Sequence, residues 1–409
     1  MKVQKNLLRP LVNAVLLLST FGLNSSVWAS ETFEQCVVGL QDTARNQGIS
    51  PQTVDQVLAK VNYLDKVIEL DRRQPEFTTP FSEYLGLRVT EQKVKKGREL
   101  YHQYRDLLQR VTRETGVPGH YLVAFWGLET NFGTYFGKMS TLDSLATLAC
   151  DPRRSEYFTQ ELMSALKIID SGDIEPERMQ GSWAGALGHV QFMPSVFLKY
   201  ARDADKDGTR DLWGSVPDAM LSAGTFLKGI GWKPQLRWGR EVLLPKDFNY
   251  RLAGLGQTKS LAEWKELGLT DAFGRSLANV NIQASLLVPA GHAGPAFLVY
   301  DNFEVIMRWN RSEYYALAVG HLADRIAGAG PLQNTPPADS PRLSRVIVLQ
   351  LQEKLIAYGV DPGTPDGILG PATRKALREY QHQEGLVADG YPDATTFARL
   401  GVSFPAVEQ

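Results

Sequence analysis

The sequence predicts a mainly α-helical protein of the α+β class, with a small β-containing lobe and a separate C-terminal module. Residues 31–200 carry apolar side chains at the i, i+3, i+4 spacing of amphipathic helices, with few β-branched runs. Between Trp232 and Trp309 this pattern gives way to short apolar runs bounded by Gly and Pro, which is typical of strands. A proline-rich segment then separates the last part of the chain from the rest.

The composition is that of an ordinary globular protein. The chain has 409 residues, of which 43% are hydrophobic and 22% charged, so it is long enough for two or three domains with their own cores. The formal net charge of -1 offers no general electrostatic reason to bind nucleic acid or an acidic membrane. We therefore expect no nucleic-acid partner, and a polymeric ligand would have to be held by local contacts.

The N-terminus has the pattern of a secretory signal peptide, predicted over residues 1–29 and cleaved near Ala29. The apolar stretch of about 13 residues is too short to span a bilayer, so no membrane anchor is expected. We expect a periplasmic protein. Basic residues, an apolar stretch and a small-residue cleavage site follow one another at Lys2, Lys5 and Arg9, at residues 11–23, and at Ala29.

Export changes the interpretation of the only two cysteines, Cys36 and Cys150. Both remain after cleavage, and disulfides persist in an oxidising compartment. We therefore predict a Cys36–Cys150 disulfide rather than two free thiols. In the chain-entropy model a loop of this length stabilises the fold by about 4–5 kcal/mol.

The region between the tryptophans predicts a small β lobe, after which a helix over residues 314–326 returns to the helical body. The four predicted strands are residues 241–245, 285–289, 296–300 and 304–308.

Glu129 is a candidate general acid, since it lies in the almost wholly apolar run 120–133. A carboxylic acid taken out of water tends to hold its proton toward neutral pH, as a general acid must. The alternative is a helix cap or a salt-bridge partner. The run 181–195 is dense in glycine, which lets the backbone approach a ligand closely, and it also carries polar groups that can hydrogen-bond one.

Together these runs resemble the lytic murein transglycosylases of the membrane-bound-B type, in soluble form, and a run after residue 307 is similar to the Asn-containing motif of that family. The resemblance covers residues 33–332. The motifs are Trp126-Gly-Leu-Glu129-Thr130-x-x-Gly133, Gly181-Ser182-x-Ala-Gly-Ala-x-Gly188-x-x-Gln191-Phe-Met-Pro-Ser195 and Arg308-Trp309-Asn310-Arg-Ser312-Glu-Tyr-Tyr315.

The resemblance implies a lysozyme-like helical catalytic domain over residues 30–329, with Glu129 as acid and then base. It also implies that six residues bind the sugar chain. Two positions depart from the family pattern: Trp309 stands where a Tyr is usual, and Phe226 where a cleft Tyr is frequent. The implied substrate-binding residues are Tyr84, Tyr157, Ser182, Gln191, Asn310 and Tyr315.

Hydrolysis of a glycosidic bond ordinarily needs two carboxylates, and neither the run around Gln191 nor that around Asn310 supplies the second. One acid suffices if the C6 hydroxyl of N-acetylmuramic acid attacks its own C1, because the reaction is then intramolecular. This chemistry predicts 1,6-anhydromuramoyl products and needs no cofactor. Two alternatives stay open: a non-catalytic wall-binding scaffold, and a hydrolytic muramidase whose second acid is Asp143, Asp151 or Glu156.

Residues 203–211 follow the Asp-x-Asp-x-Asp-Gly spacing of an EF-hand calcium loop. Gly214 occupies the twelfth position in place of the usual Glu, so Asp218 is expected to supply the last carboxylate. The ion would be structural Ca²⁺, and the other interpretation is a solvated acidic turn. The predicted ligands are Asp203, Asp205, Asp207, Thr209 and Asp218.

Residues 330–341 are predicted to be a linker, and residues 342–403 an autonomous module. Asp366-Gly367 and Asp389-Gly390 begin a near-repeat that resembles the three-helix peptidoglycan-binding domain. The implied partner is therefore the peptidoglycan glycan strand, and the sequence leaves protein partners in the wall machinery open. A flexible linker would make the module a tether that concentrates the enzyme on its substrate.

Overall fold

The computed structural model describes residues 25–72, 79–338, 340 and 342–404, with side chains from residue 33 onward. Most of the predicted signal peptide, residues 1–24, lies outside the described residues, and the side chain of Ala29 at the predicted cleavage site is also outside them. Among the helices described, none is long and apolar enough to cross a membrane.

Helices form most of the described chain. The N-terminal and central helices are α1 Ser25–Asn46, α2 Pro51–Gln56, α3 Asp65–Arg72, α4 Phe81–Arg88, α5 Glu91–Gln103, α6 Arg105–Thr115, α7 Gly119–Thr130, α8 Thr141–Ala149, α9 Ser155–Asp170, α10 Pro194–Tyr200 and α11 Val216–Gly229. They are followed by α12 Leu261–Glu266, α13 Asp301–Trp309, α14 Glu313–Ile326, α15 Arg345–Tyr358, α16 Pro371–Gln383 and α17 Ala394–Leu400. Short 3₁₀ helices lie at Leu58–Lys60, Pro176–Arg178 and Tyr250–Leu252.

Helix α7 is at the centre of the helical body. It packs against α5, α6, α11 and α14, and its residues are buried on all sides except at His120 and Glu129. A helix that is apolar all round is stable only when it is surrounded by other elements. The fold therefore places Glu129 at the end of a rigid, enclosed helix.

The β lobe is a five-stranded antiparallel sheet with the strand order β4-β6-β7-β3-β5. Its own core includes Trp264, Leu286 and Leu298. A separate two-stranded ribbon joins β1 to β2 within the helical body. The strands are β1 Met139–Ser140, β2 Gln180–Gly181, β3 Gly239–Leu243, β4 Thr258–Ser260, β5 Thr270–Asp271, β6 Gln283–Leu287 and β7 Ala296–Val299.

Three of the four predicted strands are confirmed as β3, β6 and β7, but residues 304–308 were wrongly predicted because they lie in α13. The β-branched residues in this run suggest a strand, yet the burial has a helical period. Phe303 and Ile306 face the core while Glu304 and Arg308 are exposed. Packing of this apolar face outweighs the local β propensity. The predicted helix after residue 313 is confirmed as α14.

The predicted disulfide is confirmed. Cys36 in α1 is bonded to Cys150, which ends α8, with the two Cα atoms 5.9 Å apart. The bond closes a sequence separation of 114 residues. It fixes the first helix to the end of α8, the helix that follows α7 in the chain.

The C-terminal module is a bundle of three helices, α15, α16 and α17, around a small core of its own. Its near-repeat consists of two equivalent hydrogen-bond networks. Nε2 of Gln352 donates to Thr373 Oγ1 at 3.0 Å, and Nε2 of Gln381 donates to Thr396 Oγ1 at 3.1 Å. Each glutamine also accepts from the glycine of an Asp-Gly pair. These pairs are therefore turns that the bundle itself requires.

The C-terminal module packs against the helical body and the β lobe instead of being connected by the linker alone. Arg342 forms an ion pair with Glu83, and Glu379 forms one with Arg251 at 3.3 Å. The linker is held as well, because the backbone nitrogen of Asn334 donates to a carboxylate oxygen of Glu241 at 2.7 Å. The expectation of a flexible tether does not describe this arrangement, since polar contacts of this kind cannot be read from the linker sequence.

Candidate active site

Two hydrogen bonds fix the end of α7 to the glycine-rich run, and a third holds the turn that follows the helix. Nε1 of Trp126 donates to Nδ1 of His189 at 2.9 Å, and Oγ1 of Thr130 donates to the His189 carbonyl at 2.9 Å. The backbone nitrogen of Gly133 donates in turn to Oγ1 of Thr130 at 3.1 Å. Burial lowers the pKa of His189 to about 4, so its ring is neutral at pH 7 and Nδ1 can accept.

Two donors from the third run meet on one oxygen of Glu129. Oε1 accepts from Nε1 of Trp309 at 2.9 Å and from the hydroxyl of Tyr315. Ser312 begins α14 by accepting a hydrogen bond from the Tyr315 backbone nitrogen. Burial raises the pKa of Tyr315 well above its usual value, and the charge of Glu129 raises it further, so the hydroxyl remains a donor.

The two departures from the family pattern lie side by side. The Trp309 ring stacks on Phe125 with centroids 4.3 Å apart, and it contacts Phe226 at 5.2 Å and Phe192 at 5.5 Å. The indole N–H thus provides a donor where the usual tyrosine hydroxyl is missing. Phe226 supplies apolar packing that supports the larger ring.

A comparison with known families identifies this arrangement. The family model described as "Transglycosylase SLT domain" matches residues 32–324, more than half of the chain.

The chain belongs to this transglycosylase family.

A second model, "Putative peptidoglycan binding domain", matches residues 344–400. The transglycosylase is 33% identical over 296 residues to membrane-bound lytic murein transglycosylase B of Escherichia coli (strain K12), which is 68% of this chain and 79% of that protein. The resemblance inferred from the motifs is therefore confirmed.

Two solved structures are similar to the transglycosylase. SltB3 from Pseudomonas aeruginosa in complex with NAG-anhNAM-pentapeptide has a TM-score of 0.87 at 43% identity, covering 90% of this chain and 99% of that one. The Escherichia coli lytic transglycosylase Slt35 in complex with calcium has a TM-score of 0.61 at 32% identity, covering 71% and 92%. The expected lysozyme-like fold is confirmed.

Ser182 and Gln191 lie on the glycine-rich run of the transglycosylase beside the end of α7. Oγ of Ser182 accepts from the backbone nitrogen of Ala186 at 3.0 Å. Nε2 of Gln191 donates to the carbonyls of Phe136 at 3.2 Å and Gly188 at 3.0 Å. Gln191 has a φ of 49°, a left-handed conformation that non-glycine residues seldom adopt outside constrained sites.

The remaining predicted cleft residues are on different elements. Tyr84 on α4 packs 5.8 Å from the ring of Tyr314, and Asn310 directly follows Trp309 at the end of α13. Tyr157 on α9 is 45% exposed. Its partial burial and the neighbouring Glu161 raise the pKa of Tyr157 to about 12. Asn310 thus belongs to the third run and Tyr84 lies beside it, whereas the described contacts of Tyr157 are with its own helix.

Three of the five predicted calcium ligands come together. The carboxylates of Asp203, Asp205 and Asp218 each have an oxygen within 4.8 Å of the others. Asp207 instead accepts from Oγ1 of Thr209 at 2.8 Å. Burial raises the pKa of Asp218, with the nearby charge of Asp205 adding to the shift. Three close carboxylates without a basic partner in the described chain suit a divalent cation bound by oxygen.

The proposed second acids have other contacts. Asp151 forms an ion pair with Arg72 at 2.7 Å. Asp143 accepts from the backbone nitrogen of Asn62 at 2.8 Å. Glu156 lies exposed in the first turn of α9.

His189 is a site residue that the sequence analysis did not single out. It is buried between the catalytic helix and Phe136, whose ring meets it edge-on at 4.7 Å. The available signal was a single histidine inside an apolar, glycine-dense run, where a charged ring would be costly. Such a histidine is expected to be neutral and hydrogen-bonded.

Proposed function

We propose that this transglycosylase cleaves the β-1,4 bond between N-acetylmuramic acid and N-acetylglucosamine in peptidoglycan and leaves 1,6-anhydromuramoyl ends. The family match and the relatives support the substrate and the reaction. The observation that carries the chemistry is the pair of donors on Oε1 of Glu129. They hold one carboxyl group in a fixed orientation at the end of a buried helix.

We infer that the two oxygens of Glu129 have different tasks. The indole nitrogen of Trp309 can only donate, and it occupies Oε1 together with Tyr315. A proton carried by the acid is therefore placed on Oε2. In the first step Glu129 passes that proton to the glycosidic oxygen while the bond between this oxygen and C1 of N-acetylmuramic acid breaks. In the second step Glu129 accepts the proton of the C6 hydroxyl group while the C6 oxygen forms a bond to C1. No water is consumed.

The contacts of the other acids favour this scheme over hydrolysis. Asp151 is neutralised by Arg72, and Asp143 is engaged with a backbone nitrogen. A base that activates water must reach a water on the sugar face opposite the acid. The C6 hydroxyl needs no such second base, because Glu129 itself becomes the base after the first step.

The decisive experiment is an analysis of the products. Purified protein is incubated with peptidoglycan, and the released muropeptides are examined by mass spectrometry with and without borohydride reduction. We expect anhydro ends, lighter by one water than the muramidase product and not reducible. Reducible N-acetylmuramic acid ends as the main product would show that water attacks.

Glu129→Gln tests the role of the acid and separates an enzyme from a scaffold. The change keeps the shape and removes the transferable proton, so turnover should fall by about 10²–10⁴-fold. The exposed Glu177→Gln serves as the matched control and should retain full activity. Retention of more than a tenth of the activity by Glu129→Gln would reject the assignment.

We also infer that the loop over residues 203–218 binds a structural Ca²⁺ through Asp203, Asp205 and Asp218. Support comes from the three close carboxylates and from the calcium complex of Slt35. Asp207 and Thr209 remain proposed ligands. In this proposal the ion orders the loop and takes no part in the reaction.

The proposed partner and cellular location follow from the proposed substrate. Peptidoglycan is the proposed partner of both the catalytic body and the C-terminal module, which matches the peptidoglycan-binding model. Peptidoglycan lies outside the cytoplasm, which agrees with the predicted periplasmic location and signal peptide. Immunoblotting of cell fractions against the processed chain tests this proposal.

A further inference from the structure

A groove of about 690 Å³ separates the C-terminal module from the β lobe. One wall is α16, with Arg374 and Arg378 one helical turn apart. The other wall is formed by residues 251–257 and 287–289, and Glu313 at the start of α14 lies between the walls. The groove therefore lies between the catalytic body and the peptidoglycan-binding module.

The guanidinium group of Arg378 is enclosed by a glycine from each side. A methyl group on Gly254 of the β lobe would lie 2.8 Å from Nη2, and one on Gly390 of the module 2.8 Å from Nη1. Both glycines also have positive φ, 124° and 76°. Gly254 thus lets the β lobe approach the guanidinium group closely, while Gly390 is also needed by the backbone, since its methyl position lies 2.6 Å from the Arg374 carbonyl oxygen.

The guanidinium group of Arg378 faces the groove. Within the part of the chain that the structure describes, this group makes no hydrogen bond or ion pair. Burial, followed by the charge of Arg374, lowers the pKa of Arg378. Arg374 has one hydrogen bond, from Nη2 to the hydroxyl of Tyr314 at 3.0 Å. Both arginines are partly exposed along the groove, so the N–H groups of Arg378 can donate to an anionic group that enters it.

Most acids along the groove are already engaged. Glu379 pairs with Arg251 at 3.3 Å. Asp389 accepts from the backbone nitrogen and Nδ1 of His292 at 2.8 and 2.7 Å. Asp361 accepts from a backbone nitrogen in its own turn. Glu313 is the remaining acid, and it lies beyond ion-pair distance of both arginines. The arginine end of the groove therefore suits a carboxylate.

We propose that this groove binds a carboxylate of the peptidoglycan stem peptide, with Arg378 as its main anchor and Arg374 beside it. The proposal rests on the proposed function, because the ligand belongs to the polymer that the enzyme cleaves. The glycan chain itself offers few charges, whereas a stem peptide ends in a carboxylate. A planar guanidinium group binds a carboxylate through two parallel hydrogen bonds.

Titration calorimetry tests this site in the full chain carrying Glu129→Gln, which prevents turnover. The probes are a GlcNAc–MurNAc pentapeptide, the same compound with its C-terminal carboxylate amidated, and the disaccharide without a peptide. Arg378→Gln should weaken binding of the pentapeptide by about tenfold, as expected for a charged hydrogen bond. It should leave binding of the peptide-free disaccharide unchanged. Amidation of the ligand should remove the difference between the two proteins.

Two further proteins make the result decisive. Arg378→Lys keeps the positive charge but cannot form bidentate hydrogen bonds, so its affinity for the pentapeptide should lie between those of the parent and Arg378→Gln. This variant keeps the test valid even if Arg378→Gln folds poorly. Arg399→Gln, on the surface near Glu384, is the matched control and should bind like the parent. Equal pentapeptide affinity in the parent and both Arg378 variants would overturn the site. Reducing ends in the product analysis would instead overturn the proposed chemistry while leaving this binding difference intact.

Discussion

The indole nitrogen of Trp309 lies 2.9 Å from Oε1 of Glu129, a contact between residues 180 positions apart in the chain. Because an indole N–H cannot accept, this contact holds only when the carboxyl oxygen is the acceptor. Tyr315 donates to the same oxygen. Trp309 and Tyr315 together thus orient the carboxyl group of Glu129.

Trp309→Phe should reduce kcat on soluble glycans by about 10–100-fold, since a hydrogen bond to a charged group contributes about 1.5–3 kcal/mol. The ring would still stack on Phe125, so KM and folding should change little. Trp309→Tyr restores a hydroxyl donor and should lose less activity. Steady-state kinetics of the wild-type protein and the two variants checks this. Identical kcat values for Trp309→Phe and Trp309→Tyr would contradict the role of the N–H group.

Stability should decrease as the pH falls from 6.5 toward 4. Burial lowers the pKa of His321 to about 4, with the charge of Arg325 contributing. Between these pH values the unfolded chain binds more protons, so the free energy of unfolding rises with pH. His321→Gln should flatten the dependence of Tm on pH in this range. The exposed His102→Gln should not, and an unchanged slope in both variants would refute the assignment.

Calcium should raise the Tm of the wild-type protein, because a ligand that binds only the folded state stabilises it. Asp205→Asn removes one of the three close carboxylates and should abolish most of that rise. The exposed Asp247→Asn is the matched control and should respond like wild type. Differential scanning calorimetry with calcium and with a chelator measures the effect. A full calcium response in Asp205→Asn would place the ion elsewhere.

Removal of residues 339–409 should impair more than binding to the wall. The module contacts Tyr314 through Arg374, and Tyr314 adjoins the residue that holds Glu129. Truncation should therefore lower Tm by about 2–4 °C for each kcal/mol of docking energy lost, and it should also slow turnover of soluble glycans.

Arg374→Gln, which keeps the module, should reproduce part of this loss of turnover. The exposed Lys354→Gln, on the same module, should have no effect. If the truncated protein turns over soluble glycans at the same rate as the full-length protein, the module acts only as a tether to the wall.

The sequence predicted the elements whose local pattern matches their environment. The short apolar run 285–289, bounded by proline, predicted the strand that spans Gln283–Leu287, and the motif around Glu129 predicted the candidate acid. Residues 304–308 could not be assigned, because their helical burial depends on neighbours distant in sequence. The contact of Trp309 with Glu129 and the docking of Arg374 depend on tertiary packing, which no local pattern encodes.

The Cys36–Cys150 bond has a consequence for when the enzyme becomes stable. It spans 114 residues of sequence, and a loop of this size stabilises the folded state by about 4–5 kcal/mol in the chain-entropy model. In reducing surroundings that contribution is missing, and a typical domain has only about 5–15 kcal/mol in total. The same polypeptide is therefore less stable under reducing conditions than after the disulfide has formed. The redox state of one bond thus decides a large part of the stability of this enzyme.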